Sequence, residues 1–171
     1  CFEIEEKLSA RMNVPVFHDD QHGTAIVTAA AIINWLHLTG KRIEEVSLAC
    51  SGAGAAAIAC LDLLAGLGLR RDATVVCDSR GVIYQGREPE MVPTKARYAV
   101  ATNKRTLAEA MQGTDIFLGV SSAGLVSPEM VTSMAPNPLV LALANPEPEI
   151  RPELAKAVRP DVTIATGRSD Y

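Results

Sequence analysis

The feature that most constrains this chain is a regular alternation of two kinds of segment. Short apolar runs at Val46–Cys50, Thr74–Cys77, Ile116–Val120, Leu139–Leu143 and Val162–Ala165 read as strands. Between them, Ala55–Leu67, Arg105–Met111, Pro128–Met134 and Pro152–Val158 read as helices. Strands that are apolar throughout, rather than at every second residue, are buried on both faces, and strand–helix–strand returns build parallel sheets. The pattern predicts an α/β fold, a doubly wound parallel sheet forming one domain over residues 1–171. Residues 81–101, with Tyr84, Arg87, Pro89 and Pro93, break the alternation and are expected to form an irregular excursion beside the second strand.

Residues 1–40 precede this alternation. Phe2, Ile4 and Leu8 among Glu and Lys suggest a short amphipathic helix over 2–12, and Val14-Pro15-Val16-Phe17 is expected to be extended. Gly23-Thr24 then opens an apolar helix to about Leu38, closed by Gly40. Gln21–Gly40 carries no formal charge, but Gln21, His22, Thr24, Thr28, Asn34, His37 and Thr39 interrupt it. Its apolar core falls short of the ~20 residues of a membrane span, so a buried helix is expected.

Charge narrows the function classes. Sixteen Lys and Arg against twenty Asp and Glu give a net charge of −4, no basic run follows a phosphate backbone, and aromatics make up only 4%. Nucleic acid is not an expected partner. The four cysteines, Cys1, Cys50, Cys60 and Cys77, have no C-x-x-C spacing, which fits a reduced, cytoplasmic setting. The chain opens on Cys1 rather than Met and stops at Ser169-Asp170-Tyr171, so it reads as a piece of something longer.

Ser51-Gly52-Ala53-Gly54-Ala55-Ala56-Ala57 joins the first alternating strand to a helix. In that context G-x-G-x-x-A is a Rossmann-like dinucleotide turn. Gly52 permits the tight turn, Gly54 lets backbone approach a pyrophosphate, and Ala57 keeps helix and strand close. Small-residue packing is the competing explanation. Asp78, at the end of the next strand and 24 residues beyond Gly54, tips the balance, because an acid there can hold a ribose hydroxyl. Asp78 points to NAD, whereas Ser79 and Arg80 suit the 2′-phosphate of NADP. A solvated turn accounts for Arg80 equally well.

His18-Asp19-Asp20-Gln21-His22-Gly23-Thr24 concentrates carboxylates and imidazoles before the apolar helix. One Asp could simply cap that helix. A hard divalent cation would take carboxylate oxygen, and in an extended segment neighbouring side chains point apart. One aspartate as ligand and the other as a supporting or capping group is then the economical assignment. Zinc through His18 and His22 lacks third and fourth ligands.

Val16–Ala25 closely resembles the metal-binding segment of malic enzymes. Ser51–Ala57, Val82–Arg87, Leu141–Glu149 and Thr166–Tyr171 resemble further signatures of that family, in the same order. The resemblance covers essentially the whole chain and is closest to the bacterial type, which often carries a C-terminal phosphotransacetylase-like domain. It implies oxidative decarboxylation of malate to pyruvate and CO2 with NADP or NAD and Mg2+ or Mn2+, in a homo-oligomeric enzyme. It makes Asp20 a metal ligand, with Asp19 a second acidic, catalytic group beside it. Gly52, Ala53, Gly54, Ala57, Asp78, Ser79 and Arg80 become cofactor contacts. Asn145 matches the asparagine that touches substrate and nicotinamide, although in Asn-Pro it could be a plain turn former. The acid–base Tyr–Lys pair, the substrate arginine and a Glu-Asp ligand pair would lie upstream, and a second substrate asparagine downstream. A non-catalytic dinucleotide sensor is the rival reading: it would keep Gly52, Gly54 and Asp78 and have no use for Asp20 and Asn145. A different hydroxy-acid or amino-acid dehydrogenase would lack the His18-Asp19-Asp20 segment.

Overall fold

A computed structural model describes residues 2–88 and 91–168. Cys1, Pro89, Glu90 and Ser169–Tyr171 are outside it, so the end of the Thr166–Tyr171 signature lies beyond the described residues. Helices α1 (Phe2–Arg11) and α2 (Asp19–Thr39) precede β1 (Leu48–Ser51), α3 (Ala55–Gly66), β2 (Thr74–Asp78) and β3 (Gly81–Val82). Then come α4 (Pro93–Ala96), α5 (Leu107–Met111), β4 (Ile116–Gly119), α6 (Pro128–Thr132), β5 (Leu139–Ala142), α7 (Pro152–Val158) and β6 (Thr163–Thr166). The strands form one sheet in the order β3-β2-β1-β4-β5-β6. Five of them are parallel, as the apolar runs predict, and they begin and end within two residues of the expected bounds.

The excursion after β2 contributes to the sheet. Its first residues form β3, which turns back antiparallel to β2 through the pairs Cys77↔Val82 and Asp78↔Gly81. A two-residue strand is too short to show a periodicity, which is why the sequence reads as irregular there.

Alternate side chains of the central strands fill two cores. Leu48, Cys50, Ile116, Leu118, Leu139 and Leu141 face α2 and α3. Ala49, Phe117, Val140 and Ala142 face the opposite layer, which includes Met111, Val131 and Ala155. The three described cysteines, Cys50, Cys60 and Cys77, are all free and buried.

Helix α2 differs from expectation at both its start and its burial. It begins at Asp19, four residues before Gly23, because Asp19 and Asp20 are favourable in a first turn, where the helix dipole is positive. It buries Ala25, Ala29, Ile32 and Trp35 but leaves Ile26, Val27, Ile33 and Leu38 exposed, so one face only is covered. Among the described residues no helix is long and apolar enough to cross a membrane. Its C-terminal end is fixed at the amino edge of the sheet: Trp35 Nε1 donates to Asn137 O at 3.1 Å and Lys41 Nζ to Asp115 Oδ1 at 2.6 Å. That anchoring directs the acidic first turn away from the amino edge.

Candidate functional site

The path from β2 to β4 crosses over β1, which creates the topological switch point where open α/β sheets bind ligands. A cleft of about 530 Å3 lies there, at the carboxyl ends of β1, β2 and β4. Its walls include Gly52, Ala53 and Gly54 from the turn after β1, Asp78 and Ser79 at the end of β2, Ser121 and Ser122 after β4, and Lys95.

The two glycines of the turn have different physical duties. Gly52 has φ +123°, and a Cβ there would sit 2.9 Å from Val120 O, so both backbone and space demand glycine. Gly54 has φ −86° and ψ −166°, open to any residue, and a Cβ there would meet nothing within 4 Å. None of the described residues uses that space. Gly54 is the N-cap of α3 and brings no side-chain cap, so the first amides of the helix turn towards whatever enters. Ala57 is buried in the core beneath, as close helix–strand packing requires.

Asp78 is held by three donors. Arg87 Nη2 donates to Oδ2 at 2.6 Å, Lys95 Nζ to the same oxygen at 3.0 Å, and the Arg80 amide to Oδ1 at 2.9 Å. Burial alone would raise its pKa; the Arg87 hydrogen bond, the Arg80 amide and Lys95 outweigh it and hold the carboxyl at about 2. Arg87 is itself buried and also donates to Val82 O at 3.1 Å, which ties β3 to the acid that ends β2. The exposed Arg80 is not part of the cleft wall.

The acidic segment is arranged differently from its sequence-based picture. His18, in extended backbone, is the N-cap of α2 and makes no side-chain cap; neither aspartate has that role, since both are inside the first turn. Neighbouring helical side chains diverge by about 100°. The Asp19 carboxylate lies over Gly23, where a Cβ would collide with it, and both aspartates are exposed. Both histidines turn to other partners. Gln21 Nε2 approaches His18 Nδ1 at 2.7 Å and donates to Glu5 Oε2 at 2.8 Å, while His22 Nε2 lies 2.6 Å from Glu5 Oε1. These contacts dock α1 onto α2 and leave the zinc reading without support. Among the described residues no group of three or more His, Cys, Asp or Glu could hold a metal ion.

Asn145 is exposed just past the carboxyl end of β5, with Gly167, beyond β6, close to its amide. The fold thus gathers Gly52, Ala53, Gly54, Asp78 and Ser79 into one cleft. Asn145 stands at the same edge of the sheet, two strands from β1, and neither it nor Asp19 nor Asp20 lines the cleft. Lys95, Ser121 and Ser122 were not anticipated. The serines follow a strand, a position that the strand-end rule could have flagged; Lys95 carried no such signal.

Fold and cleft together define a Rossmann-type dinucleotide-binding domain. The model of the family described as malic enzyme, NAD binding domain, matches residues 21–168, and the chain belongs to that family. It is 62% identical to an NADP-dependent malic enzyme of Escherichia coli and 55% identical to an NAD-dependent malic enzyme of Rhizobium meliloti. All of the chain is matched in both cases, but it spans only 23% and 22% of those relatives. The crystal structure of the NAD-dependent malic enzyme from Thermotoga maritima superposes with a TM-score of 0.90 at 41% identity, covering 100% of this chain and 46% of that one.

Proposed function

We propose that this chain is the part of a malic enzyme that holds NADP, or less favourably NAD, during the oxidative decarboxylation of malate to pyruvate and CO2. The observation that carries the reading is the unfilled space over Gly54 at the switch-point cleft. Phosphate oxygens entering there meet the uncapped amides at the start of α3, and Gly52 keeps the turn tight enough to present them. Lys95 supports NADP over NAD. Its ammonium reaches the cleft beside Asp78, whose oxygens already have donors, so a 2′-phosphate gains a cation where a ribose hydroxyl finds an engaged acceptor.

When bound, the nicotinamide supplies a hydride acceptor and a divalent ion supplies Lewis-acid stabilisation of charge. On the side of this chain, Asp20 offers one hard carboxylate oxygen from an exposed helical turn. Mg2+ or Mn2+ suits that donor, with its other ligands coming from outside these residues. Asp19 adds negative charge nearby, and the Asn145 amide can donate to a carboxylate or hydroxyl at the carboxyl edge of the sheet.

Malate-dependent reduction of NADP and NAD by the intact protein, with and without Mn2+, tests the reaction. For the cofactor, Lys95→Gln should weaken NADP binding at least tenfold and NAD binding less than threefold, as expected for the loss of one charge-assisted contact of about 1.5–3 kcal/mol. Equal effects on both cofactors would remove Lys95 from the 2′-phosphate position.

A further inference from the structure

Glu149 is a fully buried carboxylate on the long connection from β5 to α7, and the binding reading has no use for it. Burial pushes its pKa up, against the Ala144 and Ser121 amides, which favour the charged form. Its two oxygens reach two different loops. Oε1 accepts the Ser121 amide after β4 and Oε2 the Ala144 amide after β5, each at 3.1 Å. The main chain repeats the link: Val126 N donates to Glu149 O at 3.0 Å, and Gly124 N to Pro148 O at 3.1 Å. The carboxylate also lies directly over Gly119, the last residue of β4, where a Cβ would fall 2.5 Å and 2.7 Å from its oxygens.

One loop so clamped carries Ser121 and Ser122, which wall the dinucleotide cleft; the other carries Asn145, next to the clamped Ala144. We infer that Glu149 is a positioning residue. Its carboxylate fixes the spacing between the cofactor cleft and the strand-end asparagine by accepting one backbone amide from each loop. Only a group with two outward acceptors does this. Glutamine presents one oxygen and one NH2, and the NH2 faces an amide N–H, so one loop is released. Water cannot substitute easily at a position this enclosed.

The inference rests on the malic-enzyme reading for its effect on catalysis, and the clamp itself is measurable without turnover. In the unaltered intact protein, hydrogen exchange should show the Ser121 amide protected at least tenfold more than that of its loop neighbour Ser122, although both are exposed residues. Exchange at the same rate would overturn the clamp, with no variant needed. In Glu149→Gln, protection at Ser121 or Ala144 should drop at least tenfold. Malate KM should rise or kcat fall at least tenfold, while NADP affinity, centred on Gly52 and Gly54, moves less than threefold. Unchanged kcat and KM, or a parallel collapse of NADP affinity and turnover, would reduce Glu149 to a structural residue. Should the unaltered protein bind NADP yet leave malate untouched, the functional reading falls, and the exchange comparison still decides the clamp.

Discussion

Gly52 and Gly54 share a turn, yet substitution should separate folding from binding. Gly54→Val places a Cβ where no atom of the described residues lies within 4 Å, at φ −86°, which valine adopts without strain. Stiffening the unfolded chain contributes about 0.4–1 kcal/mol, and the poorer N-cap costs up to about 1 kcal/mol. Stability should therefore stay within about 1 kcal/mol of the unaltered protein. Gly52→Ala is a different case. At φ +123° a non-glycine residue costs about 1–3 kcal/mol, and its Cβ would press on Val120 O at 2.9 Å and Cγ2 at 3.0 Å. A loss of about 2 kcal/mol or more follows, which lowers Tm by roughly 5 °C in a domain of this size.

Binding should change in the opposite order. A valine over Gly54 keeps phosphate from the α3 amides, and each charge-assisted hydrogen bond lost costs about 1.5–3 kcal/mol. Two such losses weaken NADP and NAD by about a hundredfold or more. Thermal melts of both variants, with dinucleotide titration of the intact protein, make the comparison. A Gly54→Val protein that melts normally and binds both cofactors normally would refute the phosphate role of the turn. If it melted as low as Gly52→Ala, the geometric distinction between the two glycines would be wrong.

Two more outcomes follow from the charged groups. The Asp78 carboxyl is held at about 2 when folded, below its unfolded value, so its contribution is fully present above about pH 4 and is lost as pH falls through about 2. It amounts to about 2 kcal/mol. Asp78→Asn should flatten that part of the acid-denaturation profile and destabilise the neutral protein by about 3 kcal/mol by leaving buried Arg87 without its carboxylate; equal acid sensitivity in both proteins would contradict this. On the proposed function, Asp20→Asn in the intact protein should weaken Mn2+ binding and malate turnover by tenfold or more, with stability nearly unchanged because Asp20 is exposed and caps nothing. Unaltered metal dependence would defeat its assignment as a ligand.

The parallel strands were legible because burial on both faces leaves runs such as Ile116–Gly119 and Leu139–Ala142 apolar at every position. The glycine turn was legible for a related reason: strand, turn and helix are contiguous, so the place of Gly52 and Gly54 between β1 and α3 is written in consecutive residues. The start of α2 was misread because Gly23 looked like an opening residue. Its smallness answers instead to the Asp19 carboxylate folded over it from the preceding turn, a constraint that exists only once the helix is formed.

The Asp78 cluster marks where local reading ends. Arg80 drew attention because it is adjacent in sequence, but its contribution to Asp78 comes through its amide, which any residue other than proline could supply. The cations that reach the carboxylate are Arg87 and Lys95, 9 and 17 residues further on. They arrive because β3 reverses against β2 and the chain then returns past Val100, which bridges to Tyr84. A sequence window around Asp78 sees an acid suited to a ribose; the fold encloses it between two cations, one buried and one in the cleft. On the proposed reading of Lys95, exchanging the excursion over residues 81–101 should move the balance between NADP and NAD further than any change at Arg80 alone.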